Sequence, residues 1–251
     1  MVQKFEVTIP GLSGNKKRRA YVYLPENYGK GNKYPVLYMF DGHNLFYDED
    51  ATYGKSWGLL EYLEKCGAEI IVAAVECNHE GHRRLEEYSP VDFTFKDGTR
   101  LKGQGKIYMD WLVDEFKPYI DKNYDTLADR HNTAISGSSM GGLMTLYALC
   151  NYNGIFSRGA ALSPSLWLGG GKLCGFIDEA KFQKDTVIYT DYGSQEFSNH
   201  SPQKKAFAKT CATLIEKNAV LTARIVEGGT HCEASWEKSI PFFMKALFGI
   251  G

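Results

Sequence analysis

The spacing of apolar residues changes character along the chain. Residues 4–9 and 18–24 alternate polar and apolar positions around a turn at 11–15, the period-two signature of an antiparallel hairpin. The run Pro35-Val36-Leu37-Tyr38-Met39-Phe40-Asp41 is almost continuously apolar, as in a strand covered on both faces, and residues 69–75 and 131–136 read the same way. Further strands are expected at 159–162, 186–190 and 222–226. Between them the period lengthens to that of a helix, at 57–65, 108–120, 140–151, 202–217 and 235–248. Strands alternating with helices predict an α/β fold with a mainly parallel central sheet flanked by helices, the opening hairpin adding antiparallel strands at one edge. No repeat or long linker interrupts this, so one domain over residues 1–251 is expected. Two stretches stay irregular, 78–103 and 169–171; the first is long enough to shape a site.

Composition narrows the function. The chain is 43% hydrophobic and 24% charged, a globular balance, and its formal net charge of −1 offers no basic field for nucleic acid or an anionic membrane. The one basic run, Lys16-Lys17-Arg18-Arg19, falls between the first two strands and reads as a solvated hairpin tip. No apolar stretch approaches a membrane span, and the first residues carry no apolar leader segment. The six cysteines form no C-x-x-C pair, so neither a zinc site nor a thioredoxin-like site is expected. Reduced thiols and a cytoplasmic location fit this pattern. No metal or cofactor is required.

The candidate chemistry starts at Gly137-Ser138-Ser139-Met140-Gly141, a G-x-S-x-G pattern set between a predicted strand and a predicted helix. A serine held on so tight a turn needs small neighbours, which Gly137, Gly141 and Gly142 supply. The turn lifts the Ser139 hydroxyl above the sheet and points the Met140 N–H at a developing oxyanion. A serine hydroxyl also needs a base. His131 opens a core strand and reads as structural, His200 as a surface residue; His79 and His82 lie in the long loop, within reach of a substrate. His231, in Gly228-Gly229-Thr230-His231 between the last strand and the last helix, occupies the position of a hydrolase base in the order serine, acid, histidine. Asp191 and Glu196, after the penultimate strand, are the candidate acids. Asp41-Gly42-His43-Asn44 follows the first buried strand, and the His43 N–H is the candidate second oxyanion donor, to within one residue.

With these residues in place, the chain resembles the esterase D-like (putative esterase) family of α/β-hydrolases over roughly residues 18–248. Its markers are Tyr38-Met39-Phe40-Asp41-Gly42-His43-Asn44-Leu45-Phe46, Glu87-Tyr88-Ser89-Pro90, the Ser139 motif, Tyr192-Gly193-Ser194-Gln195-Glu196, and Gly228-Gly229-Thr230-His231 with Trp236 behind. The resemblance implies the α/β-hydrolase fold, Glu196 as the acid of a G-[ST]-x-[DE] pattern, and His43 as the oxyanion donor. It also implies a serine esterase acting through an acyl-serine on a small-molecule or oligosaccharide ester, of acetyl or feruloyl type. The family includes feruloyl and acetyl-xylan esterases, siderophore esterases, S-formylglutathione hydrolases and mycolyltransferases, so an acyltransferase or a thioesterase with the same triad is the alternative. A non-catalytic binding protein on the same scaffold is a third reading. Substrate contacts are expected from Trp57, Arg83 and Trp167; Tyr47, Tyr53, Phe93 and Phe95 are further candidates to line an aromatic or sugar-binding cleft, and Arg84, with Arg83, to meet a carboxylate or phosphate on the substrate. Oligomeric state is not legible.

Overall fold

A computed structural model of the protein describes residues 1–166, 175–197 and 201–251. Among the described residues, ten strands form two sheets: β1 (Val2–Thr8), β2 (Lys17–Tyr23), β3 (Val36–Met39), β4 (Ile71–Val75), β5 (Phe93–Thr94), β6 (Arg100–Leu101), β7 (Thr133–Ser138), β8 (Arg158–Leu162), β9 (Val187–Gly193) and β10 (Val220–Val226). Eight of them make one sheet in the order β1-β2-β4-β3-β7-β8-β9-β10, and β5 pairs β6 separately. β1 with β2 and β2 with β4 are antiparallel, and every other pairing in the large sheet is parallel. This is the α/β-hydrolase fold the resemblance implies, with the hairpin at the edge.

The continuous apolar runs are explained by two cores. Along β3, Val36 and Tyr38 join one apolar cluster and Leu37 and Met39 the other; along β4, Ile71, Ala73 and Val75 alternate in the same way with Val72 and Ala74. The helix Met140–Asn151 and the helical stretch from Gly105 to Asn123 pack with the first cluster, Leu59–Lys65 and Ile240–Phe248 with the second. No helix of the described residues is long and apolar enough to cross a membrane.

Several boundaries move for local reasons. Asp129 caps a turn at Arg130–Asn132 by accepting the His131 N–H, so β7 starts at Thr133. His131 therefore lies outside the strand, exposed, with Nδ1 2.9 Å from Asp185. The helix over 105–123 contains a π-helical segment, Leu112–Phe116, ending two residues before Pro118, whose ring lacks the N–H that would bond the carbonyl four residues back. The final helical region is two helices, Glu233–Glu237 and Ile240–Phe248, the second with Pro241 in its first turn.

The basic run is not a solvated tip throughout. Period two on β2 turns Arg18 to the same face as Ala20 and Val22, and its side chain is 3% exposed. The Arg18 guanidinium lies 2.7 Å from the Glu87 carboxylate, which also accepts the Asn78 N–H at 2.7 Å. This pair ties the long loop to the sheet. Truncating one member of a buried pair leaves the other charge unsatisfied, so Arg18→Ala is expected to cost about 3–5 kcal/mol. Urea denaturation compared with Lys17→Ala, at an exposed neighbouring position, measures it; equal midpoints would contradict the expectation.

Candidate active site

The turn between β7 and the helix Met140–Asn151 holds Ser139 at φ 57°, ψ −117°, a conformation that a non-glycine residue adopts only when its surroundings enforce it. They do so on both sides. The Ser139 N–H bonds the Leu162 carbonyl at 2.9 Å, and its own carbonyl accepts from Leu143 and Ser165, each at 3.0 Å. A Cβ on Gly137 would stand 2.8 Å from the carbonyl carbon of Gly141, and a Cβ on Gly141 would stand 2.9 Å from Phe40 Cβ, so the turn closes this tightly only with glycine at both positions.

His231 Nε2 lies 2.9 Å from Ser139 Oγ, and His231 Nδ1 lies 2.7 Å from Glu196 Oε2. The second Glu196 oxygen accepts from Ser163 Oγ at 2.7 Å and from the Gly193 N–H at 2.8 Å, and Ser163 Oγ accepts the Trp236 indole N–H at 3.0 Å. A continuous chain of hydrogen bonds thus runs from Trp236 to the Ser139 hydroxyl. Burial pushes the Glu196 carboxyl up, but the bonds from His231, Ser163 and Gly193 outweigh it and hold the group below its ordinary pKa. The loops carrying acid and base are joined directly: the Gln195 N–H bonds the Gly229 carbonyl at 3.0 Å, and a Cβ on Gly193 would stand 2.2 Å from that oxygen.

Asp191, the other candidate acid, does not reach the imidazole. It lies within β9, buried, and its carboxylate takes hydrogen bonds from the Tyr189 hydroxyl, at 2.8 Å, and from Ser239.

The Met140 N–H heads its helix and has no acceptor within it. His43 sits in the short 3-10 turn Gly42–Asn44 that follows β3, and its N–H likewise lacks an acceptor inside the turn. Asp41, one residue before that turn, is buried in the left-handed conformation at φ 55°. Its carboxylate receives both Arg84 Nε and Nη2 at 2.7 Å. Burial raises the Asp41 carboxyl, yet the guanidinium beside it keeps it below its usual pKa. Asp41 therefore anchors the His43 loop through side-chain partners, Arg84 and the Cys77 thiol. Burial pushes the His43 imidazole below its ordinary pKa.

Ser139, His231, His43 and Trp236 line a cavity of about 440 Å³, within the range of small-molecule sites. The expected substrate contacts are only partly there. Trp57 is 2% exposed and packs against Trp236 and Phe243, so it belongs to the core and not to the cavity wall. Arg83 points to solvent and pairs with Glu86 at 3.1 Å; its neighbour Arg84 lines the cavity instead, because adjacent helical residues point about 100° apart. Trp167, with 169–171 and His200, lies outside the described residues. Tyr53 lines the cavity mouth and His79 its wall, whereas His82 packs near Phe95. Ser163 was not singled out from sequence; its signal is its position at the carboxyl end of a parallel strand, where α/β sheets build their sites.

A family model described as "Putative esterase" matches residues 12–249. "Uncharacterized protein YbbA" of Bacillus subtilis is 27% identical over 154 residues, 60% of this chain and 58% of that protein. An "Endo-1,4-beta-xylanase/feruloyl esterase" of Xylanibacter ruminicola is 27% identical over 251 residues, 97% of this chain but 31% of that protein. This chain thus spans less than two thirds of both relatives. Among solved structures, an "IroE-like serine hydrolase" from Shewanella oneidensis superposes with a TM-score of 0.77 at 19% identity, covering 99% of this chain and 80% of that one.

Proposed function

The chain belongs to the "Putative esterase" family, and from that premise we propose that it is a carboxylic ester hydrolase with Ser139 as nucleophile, His231 as general base and Glu196 as the acid that orients the imidazole. The observation that carries this reading is the unbroken relay from Glu196 through His231 to Ser139 Oγ, at 2.7 and 2.9 Å. Nδ1–H donates to Glu196, which leaves the Nε2 lone pair to take the hydroxyl proton as Ser139 Oγ attacks the ester carbonyl. The Met140 and His43 N–H groups receive the oxyanion. Collapse of the tetrahedral intermediate expels the alcohol, protonated by His231. Water, activated by the same ring, then releases the acid from the acyl-serine.

The His231 side chain is 45% exposed at an open cavity, so water reaches the acyl-enzyme; this favours hydrolysis over acyl transfer to a second alcohol. The proposed substrates are acetyl or feruloyl esters of small-molecule or oligosaccharide alcohols. The feruloyl esterase name borne by the Xylanibacter relative, which aligns over nearly the whole of this chain, supports the acyl class. A fluorophosphonate probe is expected to label Ser139 stoichiometrically. A panel of acetyl, feruloyl and thioester substrates is expected to give the highest kcat/KM with an oxygen ester. Absence of labelling at Ser139 would refute the mechanism, and a preference for the thioester would refute the substrate class.

A further inference from the structure

In the same cavity as Ser139 stand three side chains that take no part in the proposed Glu196–His231–Ser139 relay. β3 and β4 are neighbours in the sheet, so the turn after β3, carrying His43, meets the segment after β4, carrying Cys77 and His79. Each of these three residues turns a ligand-capable atom toward the others, all within 4.8 Å of one another.

The detail of the group is that of a prepared ligand set. His43 is 4% exposed; its Nε2 lies 2.9 Å from Thr52 Oγ1, while its buried Nδ1 has no hydrogen-bond partner. A neutral ring donating from Nε2 to Thr52 leaves Nδ1 as a bare lone pair. His79 Nε2 lies 3.8 Å from the Glu76 carboxylate, which leaves its Nδ1 available. Cys77 is a buried thiol outside any disulfide, hydrogen-bonded to the Asp41 carboxylate, a contact that the cation would replace. Edge-to-face packing of the two imidazoles, at 4.6 Å between centroids, accounts for their contact but supplies no donor to a Nδ1 lone pair.

We propose that His43, Cys77 and His79 form a binding site for a thiophilic divalent cation of the Zn²⁺ class. One thiolate and two imidazoles suit a borderline-soft ion, and three protein ligands leave a fourth position open to the cavity. The outer partners, Thr52 on one imidazole and Glu76 on the other, orient the rings as second-layer groups do in metal sites. Donor atoms around a tetrahedral zinc stand about 3.4–3.7 Å apart, so the group must contract by about 1 Å. His79, with its side chain 51% exposed, is the member free to swing inward. Binding replaces the Cys77 S–H bond with a metal–sulfur bond and releases one proton to solvent; nothing is oxidised or reduced. The sequence gives no C-x-x-C signal for such a site because its ligands come from two strand ends.

Binding itself does not depend on the proposed ester chemistry. Its consequence does: with the cation on the His43 ring, the loop carrying the proposed oxyanion donor is locked and the cavity is partly filled, so the ion inhibits turnover.

The test is titration of the purified protein with Co²⁺ as a spectroscopic probe, followed by competition with Zn²⁺. One equivalent of cobalt should produce a thiolate-to-cobalt charge-transfer band, release one proton, and be displaced by zinc. Cys77→Ser should abolish the band. His79→Ala, at an exposed position on which folding does not depend, should weaken binding at least about tenfold. Cys232→Ser, which removes the thiol next to His231, should leave the band unchanged. Zinc inhibition, scaled to each variant's own metal-free rate, should follow the same order. No sulfur band in the wild type, a band that survives Cys77→Ser, or a band lost in Cys232→Ser would overturn the site. A normal cobalt band in a protein that hydrolyses no ester would instead count against the proposed function and leave the metal site standing.

Discussion

Ser139→Ala is expected to lower kcat for p-nitrophenyl acetate by about 10⁶-fold while leaving the protein folded, because it removes the hydroxyl that the His231 Nε2 lone pair faces. Ser165 Oγ is the nearest hydroxyl, 3.3 Å from Ser139 Oγ, but it is not the atom that the His231 Nε2 lone pair faces. Ser138 is buried on β7, and Ser136 donates to the Ala160 carbonyl at 2.9 Å. The loss should be non-additive. His231→Ala alone should cost about as much as Ser139→Ala, and the double variant no more than either, because base and nucleophile act as one unit. A stability control separates chemistry from folding. Ser139 sits at φ 57°, a strained position that glycine occupies freely, so Ser139→Gly should be equally inactive and at least as resistant to urea. A Ser139→Ala variant that kept its rate within tenfold of wild type would remove the nucleophile from the proposal.

What the sequence disclosed and what it hid follow from the range of each physical constraint. The turn at Ser139 was legible because its requirement is local: small residues must stand at fixed offsets from the serine, and Gly137, Gly141 and Gly142 occupy them. The two-sided burial of β3 and β4 was legible for the same reason, since a strand covered on both faces cannot alternate. Arg18 was misread although its signal was present. The charge run drew attention to solvent, while the period of β2 already placed Arg18 on the face of Ala20 and Val22. Other features have no one-dimensional signal. Arg83 and Arg84 differ only in which side of a short helix they occupy, and only the left-handed Asp41 carboxylate, 43 positions earlier, selects Arg84. Trp57 reads as a cavity aromatic because it lies near a loop, and what removes it from the wall is packing against Trp236 and Phe243, 179 and 186 positions later. Between Asp191 and Glu196 the residue pattern alone left both open; the distinction depends on where β9 ends. Asp191 lies within the strand, and Glu196 in the 3-10 turn Ser194–Phe197 beyond it, where the Gly229 contact brings it beneath His231.

Glu196→Gln is expected to reduce kcat by about 10³–10⁴-fold with little change in KM, because the amide enforces the wrong imidazole tautomer. Glu196 Oε1 accepts two hydrogen bonds, from Ser163 Oγ and the Gly193 N–H. In the variant only the amide oxygen can satisfy those donors, which turns the NH₂ group toward His231 Nδ1. Nδ1 must then accept, the ring proton moves to Nε2, and Nε2 can no longer take the proton of Ser139. Stability should carry a separate signature. The Glu196 carboxyl is held below its ordinary pKa in the folded chain, so the folded state disfavours its protonation relative to the unfolded state. The stability linked to that shift is fully present above the unfolded value, about 4.3, and is lost as pH falls through the folded value. Glutamine cannot take up that proton, so the urea midpoints of wild type and variant should converge as pH drops below about 4. A variant that turned over within tenfold of wild type would show that the His231 tautomer is set by something other than Glu196, and the relay would lose its first member.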